Sequence, residues 1–231
     1  ERTITHNIIT HTHRDHTDSL AAMLKATGAK TAGYGHKSPP RATGGASLTS
    51  GEYVERNFVP DIVLRDGDRL EGADWSLEAL FTPGHAPDHL CFALGGTDIL
   101  FSGDHVMAWN TSVVAPPEGH MGAYIAALEK LVPREDRVYF PGHGGQLEKP
   151  QKMVRAFLVH RRMREQAILE AIQGGHGTIR AVVGVVYKGL DAKLLNAAAL
   201  SVAAHVVHLS ERGLARISSP PSMPLGPETA V

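Results

Sequence analysis

Four side chains that can bind a metal ion fall within six positions, and this cluster constrains the fold more than any other feature: His11, His13, Asp15 and His16. The cluster follows a β-prone run, Thr3 to Thr10, and precedes apolar residues at helical spacing that stop at Gly28. The pattern predicts that it lies between the end of a strand and the start of a helix. A lone histidine is usually a packing or hydrogen-bonding residue, but four such groups this close together favour a metal site.

Three more donors follow later in the chain, each in a glycine-containing turn after an apolar segment: His85, Asp104 and His143. We predict five short strands in this part of the chain: Ile62–Leu64, Leu77–Phe81, Leu90–Leu94, Ile99–Phe101 and Val138–Phe140. An amphipathic helix is predicted from Tyr124 to Leu131, and residues 33–60 are expected to form a long surface loop bordering the site. Folding would bring the three turns to the first cluster.

The order and type of these seven residues resemble the metallo-β-lactamase superfamily, which carries His-x-His-x-Asp-His and then His, Asp and His at later strand ends. The resemblance implies an α/β fold, an αββα sandwich, over residues 1–150. It also implies that His11, His13 and His85 hold one divalent ion, that Asp15, His16 and His143 hold a second, and that Asp104 bridges the two. Members have strands before the first cluster, so we expect the N-terminal part of the fold to be truncated here.

The chemistry that the resemblance implies is hydrolysis by a hydroxide shared between two ions, which also polarise the scissile bond. Asp104 and Asp15 are then the catalytic residues, and Asp15 could pass a proton to the leaving group. A purely structural ligand role for Asp15 is an equal alternative. Zinc is the favoured metal, with manganese and iron left open because imidazole and carboxylate ligands suit all three.

A change in sequence texture at residue 151 predicts a second unit, residues 151–217, built from helices over Lys152–Gln173, Thr178–Tyr187 and Lys193–Glu211 and a wing at 213–217. This part resembles the winged-helix appendage of the β-lactamase-like endoribonuclease branch. The Pro- and Ser-rich residues 218–231 are expected to be a disordered tail.

The charge distribution bears on the substrate. Residues 1–150 hold 13 Lys/Arg and 19 Asp/Glu, whereas residues 151–217 hold 10 and 4. Arg161, Arg162 and Arg164 could therefore contact the phosphates of single-stranded RNA, or simply form a solvated helix face. The alternatives are a small-molecule ester or thioester hydrolase of glyoxalase II type and a non-catalytic nucleic-acid-binding winged-helix protein. We expect a cytoplasmic protein without membrane contact, and a homodimer is open.

Other histidines and the one cysteine are expected to have structural roles. His89 could orient a ligand, but a structural role is favoured, and His105 should point away from the site that Asp104 faces. His205 and His208 have a spacing that can bind metal, yet their apolar surroundings favour packing. Cys91 lies in an apolar run and is predicted to be a buried strand thiol.

Overall fold

A three-stranded parallel sheet forms the N-terminal edge of the computed structural model, which describes residues 3–35, 58–218 and 226–231. Its strands, in spatial order, are β1 (His6–Ile8), β2 (Lys30–Gly33) and β3 (Ile62–Val63). Helices α1 (Arg14–Thr17) and α2 (Leu20–Thr27) connect β1 to β2. Helix α2 ends at Gly28, whose φ of 63° is a left-handed conformation that glycine adopts without steric cost.

A second sheet contains six strands in sequence order: β4 (Arg69–Glu71), β5 (Ser76–Phe81), β6 (Leu90–Leu94), β7 (Ile99–Gly103), β8 (Val138–Pro141) and β9 (Leu147–Glu148). All neighbours are antiparallel except β7 and β8. Helix α3 (Met121–Leu131) makes the crossover that this parallel pair requires.

Two apolar layers hold these sheets in place. Between the sheets lie buried residues from both of them: Ala32, Leu64, Leu70, Ala79, Leu90 and Phe92. On the other face of the second sheet, Cys91, Leu100 and Tyr139 pack against Tyr124 and Leu128 of α3. Successive residues of one strand thus pack in different layers: Leu90 and Phe92 of β6 lie between the sheets, and Cys91 faces α3.

The C-terminal part is helical, with α4 (Pro150–Gln173), α5 (Ile179–Val186), a 3-10 turn (Ala192–Leu194) and α6 (Leu195–Glu211). Helix α4 belongs to two cores. Its first half packs against α3, in the core that covers the second sheet, through Val154 and Phe157. Its second half packs against α5 and α6 through Ile168 and Ala171. One long helix therefore connects the sheet-containing part to the helical part.

Most sequence-predicted elements are confirmed, and the burial of Cys91 is also confirmed. The sequence missed β2, β4 and β9, because short segments of small or charged residues have no clear alternation. Helix α3 begins at Met121, three residues before the predicted start, since the His120 side chain accepts a hydrogen bond from the Ala123 N–H and caps it. The predicted loop at 33–60 lies largely outside the described residues.

Two C-terminal expectations need correction. Residues 213–217, the expected wing, form no strand in the described chain. Of the expected disordered tail, residues 226–231 are instead packed on α5: Ala230 pairs with Thr178, and the carbonyls of Thr229 and Pro227 accept from the N–H groups of Ile179 and Arg180. These are the N–H groups at the start of α5, which have no partner within the helix.

Residues Ala192–Glu211, which include α6, are long and apolar enough by composition to cross a membrane. Several of them are buried in the C-terminal core instead, among them Val202, Ala203, Val206 and Leu209. Packing inside the protein accounts for the apolar composition of this helix.

Candidate metal centre

The first cluster occupies the turn between β1 and α2, as the sequence predicted. His11 follows β1 and is buried, His13 precedes the first turn of α1, and Asp15 and His16 lie within α1. The change from extended to helical backbone at His13 gives these side chains different directions. His11 and His13 therefore meet one set of partners, and Asp15 meets another.

Three imidazoles converge on one point. His13 Nδ1 lies 3.0 Å from His11 Nε2 and 2.9 Å from His85 Nε2. His85 comes from the turn after β5, so folding joins side chains that are 72 residues apart in sequence. These three residues form the first donor group, in which all donor atoms lie within 4.8 Å of one another.

A second donor group lies beside the first. His143, from the turn after β8, places Nε2 3.0 Å from Asp15 Oδ2, and His16 Nε2 is 3.6 Å from the same oxygen. Asp104, from the end of β7, lies between the groups. Its Oδ1 is 3.4 Å from His16 Nε2, and its Oδ2 is 3.6 Å from His85 Nε2 and 3.4 Å from His143 Nε2.

Gly142 allows the second group to close. A β-carbon built at this position would lie 2.5 Å from Asp104 Oδ1 and 2.6 Å from His16 Cε1. A side chain there would collide with two of the seven donors. The glycine of the Pro-Gly-His turn is therefore required by close packing around the site, at a position where its φ is not unusual.

Burial and charge shift the pKa values of the first-group histidines and of His16 in opposite directions. Burial lowers the pKa of His11 well below its usual value, lowers that of His85, and lowers that of His13 to about 4. Burial acts the same way on His16, but the Asp104 and Asp15 carboxylates outweigh it and raise the pKa of this imidazole. The first group is thus three neutral imidazoles, which is the form that binds metal.

Two further contacts orient the donors. His85 Nδ1–H donates to the Val113 carbonyl at 2.6 Å, which leaves Nε2 with its lone pair facing the first group. The buried His89 accepts the Asp104 backbone N–H at Nε2, 3.0 Å away, and its Nδ1 lies 2.9 Å from Thr82 Oγ1. His89 thus positions the Asp104 turn, which is an orienting role rather than the purely structural role that its sequence context favours. His105 is buried against the Tyr124 ring, away from the two groups.

The three arginines expected to contact phosphates make contacts within the protein. Arg161 is only 4% exposed and donates to Thr111 Oγ1 at 2.5 Å and to the Ser112 carbonyl. Arg164 donates to the Val186 carbonyl and lies over the Tyr187 ring. Arg162 is exposed and pairs with Glu129. Arg161 is therefore unavailable to an external phosphate, because helix α4 turns it inward.

Ser112 and Val113 are the site residues that sequence reasoning missed. Ser112 Oγ donates to the carbonyls of Asp104 and His105, and Val113 acts through its backbone carbonyl. Residue type gives no signal for either role, because every residue has a backbone carbonyl and the contacts of Ser112 and Val113 both involve backbone carbonyls.

A two-sheet α/β fold with five imidazoles and two carboxylates at adjoining strand ends has the donor set of a metallohydrolase. The family model described as "Metallo-beta-lactamase superfamily" matches residues 1–143, and a "Beta-lactamase associated winged helix domain" matches residues 178–219. The chain belongs to the metallo-β-lactamase superfamily, whose members are generally hydrolases.

Relatives and solved structures agree with this assignment. The chain is 36% identical over 152 residues to a β-lactamase-like protein 2 homolog of Drosophila melanogaster, covering 64% of this chain and 49% of that protein. It is 28% identical over 188 residues to an atrochrysone carboxyl ACP thioesterase of Cryptosporiopsis, covering 80% and 51%. The chain thus spans about half the length of the curated relatives it matches.

A metallo-beta-lactamase family protein from Thermus thermophilus has the same fold, with a TM-score of 0.71, 23% identity and coverage of 98% of this chain and 78% of that one. A beta-lactamase domain protein from Burkholderia ambifaria gives a TM-score of 0.70 at 16% identity, covering 91% and 69%. The fold is the metallo-β-lactamase fold with a C-terminal winged-helix domain.

Proposed function

We propose that the chain is a dinuclear, divalent-metal-dependent hydrolase that cleaves small acyl thioesters. The observation that supports a dinuclear site is the position of Asp104: its two carboxylate oxygens lie within 3.6 Å of donors from both groups. A carboxylate so placed can serve two ions at once.

Unpartnered polar atoms support the fit of metal to this site. His16 Nε2 and Asp104 Oδ1 are buried and lie 3.4 Å from each other, but neither makes a contact with hydrogen-bond geometry in the described chain. In the first group, His85 already donates from Nδ1, so its Nε2 lone pair faces His13 Nδ1, which His11 Nε2 also approaches. One hydrogen cannot satisfy three converging nitrogens. A cation resolves both arrangements, since buried polar groups without partners are costly.

The donors divide as the two groups suggest. His11, His13 and His85 would hold one ion, Asp15, His16 and His143 the other, and Asp104 both. Zinc suits this imidazole and carboxylate set, and manganese or iron would also suit it. When bound, such ions lower the pKa of a coordinated water and polarise the scissile carbonyl.

The chain's own residues then do the remaining work. The Asp104 carboxylate is held by the His89 contact to its backbone N–H, so it is oriented before substrate arrives. The Asp15 side chain is 56% exposed, unlike that of Asp104 at 8%, so Asp15 is the carboxylate that faces the solvent side. Asp15 Oδ1 or Oδ2 would accept the proton of the attacking water and deliver it to the leaving thiolate.

Two observations favour a thioester over RNA. A relative that is 28% identical over a region covering 80% of this chain is named as an acyl carrier protein thioesterase. In addition, Arg161 and Arg164 use their guanidinium groups inside the protein. Cleavage of single-stranded RNA stays a prediction, supported by the exposed Arg162 and the winged-helix match.

The test is turnover by zinc- or manganese-loaded protein of a panel that holds acyl thioesters, a lactone, a phosphodiester and single-stranded RNA. We expect thioester cleavage that the Asp104→Ala variant loses, with Glu165→Gln on helix α4 as the matched acidic control that keeps it. Cleavage of RNA alone would replace the thioester proposal, and turnover that persists in Asp104→Ala would contradict the metal centre as the site of reaction.

A further inference from the structure

Residues 105–113, here called the rim segment, lie next to the candidate metal centre at three points. The segment begins directly after Asp104, and its last residue accepts a hydrogen bond from His85 through the Val113 carbonyl. In between, the Trp109 indole lies against Gly144, the neighbour of His143: a β-carbon built on Gly144 would be 2.9 Å from Trp109 Cδ1. The segment therefore touches the surroundings of three of the seven donors.

The rim segment is anchored from both sides. Ser112 Oγ donates to the carbonyls of Asp104 and His105, which ties the segment to the strand end. From α4, Arg161 donates to Thr111 Oγ1 and the Ser112 carbonyl, while its guanidinium lies 5.2 Å from the centre of the Tyr124 ring. Buried hydrogen bonds of this kind fix a backbone before a ligand binds.

This anchored segment exposes two apolar side chains. Trp109 is 71% exposed and Val113 is 57% exposed, whereas Val106 and Met107 of the same segment are buried. Trp109 and Val113 are therefore exposed on a segment that is otherwise packed, not on an unpacked loop. A large indole that stays in water beside a reaction centre loses apolar exposed area when a flat apolar group stacks on it.

We propose that Trp109 and Val113 form an apolar wall that binds the acyl part of the substrate, and that this wall selects flat, aromatic or conjugated acyl groups. The inference rests on the proposed thioesterase function and names the substrate class for that site. Charge agrees with it, because the α4 arginine nearest to the rim segment, Arg161, points its guanidinium into the protein. A stacked nucleobase would need cationic groups nearby for its phosphates.

Selectivity between two thioesters tests the wall. Metal-loaded protein is assayed with the benzoyl and acetyl thioesters of N-acetylcysteamine. Trp109→Ala is expected to lower the ratio of benzoyl to acetyl kcat/KM about tenfold, mainly through the KM for benzoyl, and Trp109→Phe to restore most of it. Val185→Ala, which trims a 48% exposed valine on α5, serves as the control that leaves the ratio unchanged.

A binding measurement separates failure of the wall from failure of the thioesterase proposal. The chain has two tryptophans, so in a Trp75→Phe background Trp109 is the one reporter of indole fluorescence. Saturable quenching by 4-bromobenzoate, without hydrolysis of either thioester, would support the wall and refute the reaction. Thioester hydrolysis with an unchanged ratio in Trp109→Ala would overturn the wall, as would RNA cleavage that depends on Trp109.

Discussion

Histidine and carboxylate side chains gather in two places in this chain, and the two clusters differ in how their donors are arranged. At the candidate metal centre, side chains from four strand-end turns converge. In a second group, the helix cluster, Glu165 of α4 faces His205 and His208 of α6, each 3.6 Å from Glu165 Oε2. All triads of close donor atoms in the described residues belong to the metal centre and none to the helix cluster.

The helix cluster has its own source of positive charge. Arg212 donates to Glu165 Oε1 at 2.6 Å, so the carboxylate is already neutralised. At the candidate metal centre, the ion-pair partners of Asp104 in the described residues are the imidazoles of His16, His85 and His143, with no arginine or lysine among them. Buried atoms without a hydrogen-bonding partner occur in the helix cluster too, at Glu165 Oε2 and at both ring nitrogens of His205. What distinguishes a metal centre from a packed helix interface is therefore the convergence of three donor atoms on one point, not histidine content or missing partners.

The largest expected effect is the difference in turnover between two variants, each of which lacks one imidazole of one cluster. His13→Ala should lower turnover on the order of 10³-fold, because His13 is the nitrogen on which both His11 and His85 converge. His208→Ala makes the same chemical change in the helix cluster and should alter turnover by less than about threefold. Steady-state kinetics of the two variants decide this, and equal losses in both would break the distinction.

The next largest expected effect is a loss of stability on replacing Arg161, because this residue links the clusters. It donates to the carbonyl of Ser112, which contacts Asp104. Its charge also acts on His205. Arg161→Ala should lower the free energy of unfolding by about 2–4 kcal/mol, since the Ser112 carbonyl loses its partner in a buried place. Denaturant unfolding measures this.

Arg162→Ala is the matched control, because Arg162 is 60% exposed in its pair with Glu129. An exposed pair of this kind contributes about 0–1 kcal/mol. If the two arginine variants lose the same stability, the internal role of Arg161 is wrong.

The smallest expected effect is the pH dependence of the helix cluster. Burial lowers the pKa of His205, with Arg161 and His208 acting in the same direction and Glu165 opposing them. The unfolded chain therefore binds more protons than the folded one just below pH 6.5, so stability falls as the pH drops through that value. His205→Gln should reduce this slope by up to about 1.4 kcal/mol per pH unit. Thermal unfolding between pH 5 and 7.5 tests it, and an unchanged slope would show that His205 takes up its proton in the folded state.

Residue type explains which parts of this molecule could be predicted. The seven donors were recognisable because imidazole and carboxylate groups at glycine-containing turns have few packing uses, and the apolar runs predicted the central strands. The inward orientation of the Arg161 side chain could not be predicted, since three nearby arginines in a helix do not indicate which one faces the core. The roles of Val113 and Ser112 depend on backbone carbonyls and on the folded path of the rim segment.

The most direct test of the metal centre is metal content by plasma mass spectrometry after loading and desalting, for the unmodified chain, Asp104→Ala and His208→Ala. We expect about two divalent ions per chain, retained in His208→Ala and lost or strongly reduced in Asp104→Ala. Full metal content in Asp104→Ala, or its loss in His208→Ala, would show that the ions bind elsewhere than at the seven residues of the candidate metal centre.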